Sequence, residues 1–240
     1  MNQSFSGKVA LVAGGTGGLG RSVSLAFLGA GATVAVTYRK PEEFEALQMA
    51  AAESDRARLS GHAVDVTDEA AVRRLLDELV SQHDRLDALV NAVGAYAGGK
   101  KLWEADPKVF DQMLLLNLRS GLTLCRAAVP VMLMKGHGAI VNVASRSAVV
   151  HGAGESAYAL SKAAAVAMID SLAADLKGTA VRANSVLPSI IDTEANRNAM
   201  PKADFSKWPR PDDIARVILF LCSDDAKLIQ GASIPVYGQT

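Results

Sequence analysis

Apolar residues in this chain fall into short unbroken runs separated by longer stretches with helical spacing, and the two kinds alternate along its length. Residues 8 to 13, Lys-Val-Ala-Leu-Val-Ala, read as a buried strand, and residues 32 to 38, Ala-Thr-Val-Ala-Val-Thr-Tyr, as a second. Further strands are expected at about 58–64, 86–90, 139–143 and 180–187, with a short seventh at 233–236. Between them the pattern predicts helices over about 18–30, 41–54, 68–80, 106–135, 158–177 and 212–223. In the third of these, Val72, Leu75, Leu76 and Leu79 recur at helical spacing behind Asp68, a suitable N-cap. The stretch 106–135 reads as helical throughout, or as two helices meeting near Arg119 to Gly121. Gly178 is expected to cap the helix that ends near Lys177. Residues 189–210, with Pro201, Trp208 and Pro209, keep neither period and are expected to form a substrate lid. Strands alternating with helices, with no repeat and no low-complexity segment, argue for an α/β fold in one domain over residues 1–240. The expected architecture is a doubly wound, seven-stranded parallel sheet with helices on both faces, a three-layer αβα arrangement.

Composition narrows the partners. Half of the 240 residues are hydrophobic and only 5% are aromatic, so the core is built from Ala, Val, Leu and Ile. A net charge of zero and an isoelectric point near 6.9 give no electrostatic case for nucleic acid or an anionic membrane. Cys125 and Cys222 sit in apolar helical patterns and read as core residues, not as a disulfide or a metal pair, and no metal site is expected. The first apolar run follows Lys8 and ends in glycines, unlike a signal or transit peptide. Arg126 and Asp170 interrupt the longest apolar stretches before they reach spanning length. A soluble, cytoplasmic protein is the expectation.

The first strand runs into Gly14-Gly-Thr-Gly-Gly-Leu-Gly20 and then a helix. Gly15, Gly17 and Gly20 fit G-x-G-x-x-G, while Gly14, Gly18 and Gly20 fit G-x-x-x-G-x-G. Such a turn, here with Thr16 and Leu19 inside it, lets backbone approach a pyrophosphate at a helix N-terminus, the Rossmann-like arrangement for dinucleotides. A loop that merely needs flexibility would also be glycine-rich. At the end of the second strand, Tyr38, Arg39 and Lys40 stand where a 2′-hydroxyl-binding acid would be expected. An arginine there accommodates a 2′-phosphate, which favours NADP over NAD. As an ordinary loop charge, Arg39 would carry no such meaning.

Tyr158 and Lys162 lie four residues apart near a helix start, hence on one face. A free phenol titrates at about 10, and a neighbouring ammonium favours the phenolate and lowers that value. A tyrosine tuned in this way can protonate a carbonyl oxygen or deprotonate an alcohol. Ser145, just past the fifth strand, could hold the same substrate oxygen over a cleft. Asn117 lies inside an apolar helical stretch, either as a satisfied core residue or as a group that opens the helix to water.

With these pieces in order, the chain from Lys8 to Gly238 resembles the short-chain dehydrogenase/reductase family in its single-domain branch. The family's Thr-Gly-x-x-x-Gly-x-Gly is Ala13-Gly14-x-x-x-Gly18-Leu19-Gly20 here. Its adenine-contacting Asp is Asp65, followed by Val66, and its Asn-Asn-Ala-Gly is Asn91-Ala92-Val93-Gly94. Its helix Asn is Asn117, its Ser is Ser145, and its Tyr-x-x-x-Lys is Tyr158 and Lys162. Its Pro-Gly-x-Ile-x-Thr is Pro188-Ser189-Ile190-Ile191-Asp192-Thr193. Ala13 and Ala92 lack side-chain hydrogen bonds that brace the cofactor loops, Ser189 replaces a glycine, and the closing Val-Asp-Gly-Gly reads Val236-Tyr237-Gly238-Gln239.

The resemblance implies hydride transfer between a nicotinamide and a small carbonyl or alcohol substrate. Tyr158 would be acid and base, Lys162 would bind the nicotinamide ribose and lower the tyrosine pKa, Ser145 would bind the substrate oxygen, and Asn117 would order a water leading from Lys162 to solvent. The cofactor-binding set it implies is Gly14, Thr16, Gly18, Leu19, Tyr38, Arg39, Asp65, Val66, Asn91, Ala92, Gly94, Tyr158, Lys162, Pro188, Ile191 and Thr193. Assembly as a homotetramer or homodimer, through the helices around 106–135 and 155–177, is also implied. The segment Asp192 to Trp208 is similar to the lid of dihydropteridine reductases, which reduce quinonoid pterins. Those enzymes typically carry an acid after the second strand, use NADH and lack the serine. Pterin or quinone reduction is thus the alternative to an ordinary carbonyl substrate. A regulator that senses the NADP redox state without turnover would keep the glycine turn, but the intact Asn-Ser-Tyr-Lys set argues against it. Arg197, Lys202, Lys207 and Arg210 could meet an acidic carrier of an acyl ketone, or be solvated loop charges.

Overall fold

Every residue of Val9–Ala13 (β1) is buried, which a strand achieves only when both faces of its sheet are covered. The computed structural model describes residues 4–240, so residues 1–3 of the expected 1–240 unit lie outside the described residues. After β1 come Gly18–Gly29 (α1), Thr33–Tyr38 (β2), Pro41–Ala50 (α2), Leu59–Ala63 (β3), Glu69–His83 (α3) and Ala88–Asn91 (β4). Then follow Pro107–Leu114 (α4), Ser120–Lys135 (α5), Gly138–Val143 (β5), Ser156–Asp175 (α6), Val181–Pro188 (β6), Glu194–Ala199 (α7), Pro211–Cys222 (α8) and Ser233–Val236 (β7). The strands form one seven-stranded sheet in the order β3-β2-β1-β4-β5-β6-β7. All six pairings are parallel. The order reverses between β1 and β4, which opens a crevice at their carboxyl ends.

Alternation within the apolar runs assigns each side chain to a layer. Ala10 and Val12 of β1, Val90 of β4 and Val141 of β5 face a core with Val23 and Phe27 of α1 and Ile214 and Ile218 of α8. Leu11, Leu89 and Ile140 face the other core, with Leu75, Leu76 and Leu79 of α3, Leu124 and Met132 of α5 and Ile169 of α6. Cys125 and Cys222 are free, buried thiols in these helices. By length and composition α6 could cross a membrane, although Lys162 and Asp170 interrupt it. It packs instead against β6, with Ala165, Ile169 and Ala173 in the interior.

At the amino edge of the sheet a buried carboxylate ties three strands. The backbone N–H of Asp87 donates to Val9 at 2.9 Å, and its carbonyl accepts from Ala139 at 2.9 Å. Its side chain accepts from the Val9 N–H at 2.7 Å and pairs with Arg85 and His137. Burial pushes the Asp87 carboxyl up, but hydrogen bonds from Arg85 and Val9 and the charges of Arg85 and His137 outweigh it, leaving the group below its ordinary 3.8.

The structure departs from the expected boundaries where a local turn intervenes. The helix expected to reach residue 54 stops at Ala50, and a 3-10 turn over Glu53–Arg58 leads into β3. The stretch 106–135 contains no corner at Arg119 to Gly121. It is a continuous helical rod with a π turn over Leu115–Arg119 between α4 and α5. Helix α6 ends at Asp175 with Leu176 as its cap, and Gly178 takes its positive φ of 81° in the turn beyond. The lid is less irregular than expected, because Thr193 accepts from the Asn196 N–H and caps the short α7. Asp68 caps α3 as expected, accepting from the N–H groups of Ala70 and Ala71.

Asp87→Ala leaves Arg85 and the Val9 N–H without their buried acceptor. It should cost about 3 kcal/mol of unfolding free energy at pH 7, read from urea denaturation. A depressed carboxyl contributes stability above pH 3.8 that is lost as pH falls through its folded value, so the gap between wild type and variant should narrow in acid.

Candidate active site

Parallel pairing places the ends of β5, β6 and β7 side by side, with Val143 opposite Val186 and Pro188 opposite Val236. Ser145 therefore emerges at the carboxyl edge, where it caps the 3-10 turn Arg146–Ala148. Its Oγ accepts the Ser147 N–H at 3.1 Å, which leaves its own proton free to be donated. Tyr158 is the third residue of α6, close enough to Ser145 to feel its hydroxyl. The Tyr96 ring meets the Tyr158 ring edge-on, with centroids 5.0 Å apart. Just before α6, the carboxylate of Glu155 accepts from the Gly152 N–H at 2.6 Å and the Ser147 hydroxyl at 3.1 Å, folding residues 146–155 into a closed loop.

Lys162 lies one turn along α6, only 5% exposed, and its Nζ donates to the Val143 carbonyl at 2.9 Å. Burial pulls its ammonium down to about 8. The net shift of Tyr158 runs opposite to the lowering expected from Lys162. Burial pushes the Tyr158 hydroxyl above 10, the Ser145 hydrogen bond opposes this, and Glu155 and Tyr96 push further up. The lysine Nζ stands 6.0 Å from the tyrosine ring centroid and donates to Val143, so burial is the larger influence on the phenol.

Asn117 is buried, 2% exposed, within the π turn, and its side chain has protein partners. Its Oδ1 accepts the Ala95 N–H at 2.9 Å, and its Nδ2 donates to the Ala95 carbonyl at 3.0 Å and the Ser161 hydroxyl at 2.9 Å. Ser161 in turn donates to the Tyr158 carbonyl at 2.7 Å. Asn117 thus fastens the loop after β4 to the first turn of α6. A Cβ on Gly94 would sit 2.8 Å from the Asn117 Oδ1 and 3.1 Å from the Lys162 Nζ, so only glycine lets the three groups converge.

The other predicted residues form a rim around the switch point. Gly17 caps α1 with no side-chain bond, so the N–H groups of its first turn face the crevice. Gly14 has φ 70°, and a Cβ on Gly20 would fall 2.0 Å from the Gly14 carbonyl oxygen. Gly18 lies against Thr193, whose Cγ2 a Cβ would meet at 2.8 Å, so the glycine turn touches the lid root beyond Pro188 and Ile191. Leu19 is buried beneath the turn, and Thr16 donates to Glu43 at 3.1 Å. Tyr38 stacks on Phe44 with centroids 5.2 Å apart, and Arg39 is exposed beside it. Among the described residues no carboxylate lies within ion-pair distance of Arg39, although its charge reaches Asp65. The Asp65 carboxyl is held below its ordinary value mainly by the backbone and side-chain hydrogen bonds of Thr67. Val66 is buried, and its carbonyl accepts from Thr123.

Ala13 and Ala92 do not leave the loops unbraced. Thr37 of β2 accepts the Gly14 N–H at 2.9 Å, and Asn91 accepts the Val93 N–H at 3.2 Å. Asn91 also donates to Asn142 at 2.9 Å. Ser189 fills its turn by donating to the Tyr237 carbonyl at 2.7 Å. Thr37, Asn142, Ser161 and Glu155 were missed as site residues. A polar residue inside the apolar runs of β2 and β5 was a readable signal for the first two; the others had none. In the lid, Arg197 pairs with Asp192 and Lys207 with Asp204, so two of its four cations are engaged.

The uncapped α1 terminus, the glycines packed against neighbouring atoms, and Arg39 without a paired acid fit a dinucleotide with an added phosphate. Residues 13–238 match the sequence family described as enoyl-(acyl carrier protein) reductase. The chain is 36% identical to D-threitol dehydrogenase of Mycolicibacterium smegmatis over 98% of its own length and 93% of that protein's. Among solved structures it resembles a short-chain type dehydrogenase/reductase from Mycobacterium ulcerans, with a TM-score of 0.91 at 25% identity, covering 98% of this chain and 90% of that one. It also resembles ElxO with NADP bound, with a TM-score of 0.90 at 27% identity, covering 96% and 97% of the two chains. A tyrosine-to-phenylalanine variant of ElxO has been solved with NADPH bound.

A lysine held below its ordinary 10.5 destabilises the fold while both states are protonated, and stability rises as pH climbs from about 8 toward 10.5. Lys162→Met should therefore raise the unfolding free energy at pH 7 by about 1–2 kcal/mol, with the gain fading above pH 10. Chemical denaturation across that range checks it; a variant weaker at pH 7 would mean that the Val143 hydrogen bond outweighs the desolvation.

Proposed function

The chain belongs to the short-chain dehydrogenase/reductase family and is an NAD(P)-dependent oxidoreductase of carbonyl and alcohol groups, and from that premise we propose that it is an NADP(H)-dependent carbonyl reductase with Tyr158 as its acid and base. The observation that carries this reading is the convergence of Ser145, Tyr158 and Lys162 at the carboxyl edge, beside the glycine turn and the lid root. The bound nicotinamide would supply the hydride. Gly14, Gly18, Thr16, Asn91, Gly94, Thr193 and Lys162 would hold the dinucleotide, with Arg39 at the 2′-phosphate and Asp65 and Val66 near the adenine.

The chain's own contribution is to orient the substrate and move one proton. Ser145, its Oγ already accepting from Ser147, donates to the substrate oxygen. Tyr158 enters the reduction as the neutral phenol, which its raised pKa favours, and gives its proton to that oxygen. Lys162 places a positive charge behind the tyrosine as the phenolate forms, when attraction between the two is worth most. Asn117 keeps the first turn of α6 in register with the loop after β4, and is a positioning residue rather than a proton carrier.

Nicotinamide fluorescence with NADPH and NADH tests the cofactor and the tyrosine together. Wild type should prefer NADPH, and Arg39→Asp should erase or reverse that preference. Tyr158→Phe should bind NADPH within about threefold of wild type yet lose a hundredfold or more in kcat. Retained turnover would remove Tyr158 from its role. A preference for NADH would instead favour quinonoid pterin reduction, the alternative that the Asp192–Trp208 segment suggests.

Leu115 and Leu122 of the α4–α5 rod and Leu160 of α6 are exposed on the two helices expected to mediate assembly. This supports a homotetramer as our reading, for which light scattering should give four times the 25.1 kDa chain mass. A 25.1 kDa species at micromolar concentration would overturn it.

A further inference from the structure

Four arginines of the described chain are partly buried: Arg58, Arg85, Arg146 and Arg182. Three of them have their guanidinium groups engaged by protein acceptors. Arg58 donates to the carbonyls of Ala32 and Leu28 and to Asp55. Arg85 is bidentate on Asp87, and Arg182 donates to the carbonyls of Ile229 and Ser223. Arg146 differs from all three. Among the described residues its guanidinium donates no hydrogen bond and has no carboxylate within 4.0 Å, and its one close partner is the face of the Tyr237 ring, 5.4 Å from centroid to Cζ.

Position makes this unusual. Arg146 directly follows Ser145, at the end of β5, whereas Tyr237 directly follows β7. Strand β6 lies between them, so the side chain reaches across the end of β6, where the lid begins at Ser189. The tyrosine under it is fixed, since its carbonyl accepts from Ser189 at 2.7 Å and from Thr240 at 2.8 Å. Two residues on, the Gln239 N–H donates to the Lys207 carbonyl at 3.0 Å, tying the tail to the lid. A planar fork of N–H donors thus lies over a fixed ring at the carboxyl edge of the sheet, one residue beyond Ser145, with its donors unused. Desolvating an arginine without an acceptor is unfavourable, and a carboxylate meets its geometry with two parallel hydrogen bonds.

The loop carries charges of opposite sign at its two ends. Glu155, pinned by Ser147 and Gly152, sits close enough to Tyr158 to disfavour further negative charge there. Arg146 stands at the other end. A substrate with a carbonyl and an acid would be turned one way only, carbonyl toward Ser145 and Tyr158, acid toward Arg146.

We propose that Arg146 is a specificity-determining residue that binds a carboxylate of the substrate, so that the enzyme reduces oxo acids to hydroxy acids. The proposal deepens the carbonyl-reductase reading and rests on it for the reaction, but not for the binding of the acid. The test compares γ-oxo and δ-oxo acids with their uncharged methyl esters, under NADPH, in wild type, Arg146→Gln and Arg146→Lys. Wild type should favour the better acid over its ester by about a hundredfold in kcat/KM. Arg146→Gln should lose about that factor on the acid and less than threefold on the ester, while Arg146→Lys, which keeps the charge without the fork, falls between. Equal use of acid and ester by wild type, or a parallel loss on both in Arg146→Gln, would overturn the proposal. Calorimetric titration of the same acids into Tyr158→Phe, with and without NADPH, reads binding apart from turnover. Acid binding that disappears on adding Arg146→Gln supports the site even if wild type reduces no ketone, a result that would sink only the reductase reading. No binding, or binding indifferent to Arg146, would sink the anion site itself.

Discussion

Parallel pairing of all seven strands is the constraint on which the rest of the molecule depends. It sends every carboxyl end to one edge, so residues distant in sequence meet there without any need for long loops. Ala13 lies opposite Asn91, Asn91 opposite Asn142, and Asn142 opposite Ser185. The glycine turn, the loop after β4, Ser145 and the lid root are simply the next residues along those four strands. The same pairing demands cover on both faces, which is why β1, β4 and β5 are apolar up to Asn91 and Asn142. A polar row of Asn91, Asn142 and Ser185 crosses the sheet there, and the Asn142 Nδ2 and the Ser185 hydroxyl find no protein partner among the described residues.

At that edge the structure accepts a local instability. An ammonium is buried against a single carbonyl, and a phenol is buried beside a carboxylate. The buried ammonium disfavours folding, and both groups lie where charge would change in the proposed proton transfer. What holds them is a set of short-range neutral hydrogen bonds, Asn117 to Ala95 and Ser161, Ser161 to Tyr158 and Ser145 to Ser147. The π turn that carries Asn117 belongs to this support, because it holds that side chain against Ala95 and Ser161. The Asp87 clamp at the opposite edge gives the sheet a rigid base far from these concessions.

Much of this was legible before any coordinates. Strands and helices followed from period, and the site residues from motifs whose members sit close together in sequence: Gly14 to Gly20, Asn91 to Gly94, Tyr158 and Lys162. Their substitutes were not. Nothing near Ala13 announces that Thr37, on another strand, takes the hydrogen bond of the Gly14 N–H, and nothing near Ala92 shows that Asn91 braces Val93 itself. Whether residues 106–135 form one helix or two stayed open for a related reason. A π turn keeps the axis continuous and leaves no composition signal beyond one buried asparagine.

The sequence alone determined the layer architecture, the order of its elements and the choice of candidate reacting side chains, because these rest on periodicity and on spacing within single elements. Tertiary structure decided the electrostatics. Whether Lys162 lowers or merely neighbours Tyr158 depends on a 6.0 Å separation and on a carbonyl from another strand. Whether an arginine is spent or available depends on acceptors that can come from anywhere in the chain, and only the folded packing shows Arg58, Arg85 and Arg182 engaged while Arg146 is not. Interactions that vary with distance and burial are set by the meeting of remote segments, and a linear pattern carries no record of those distances.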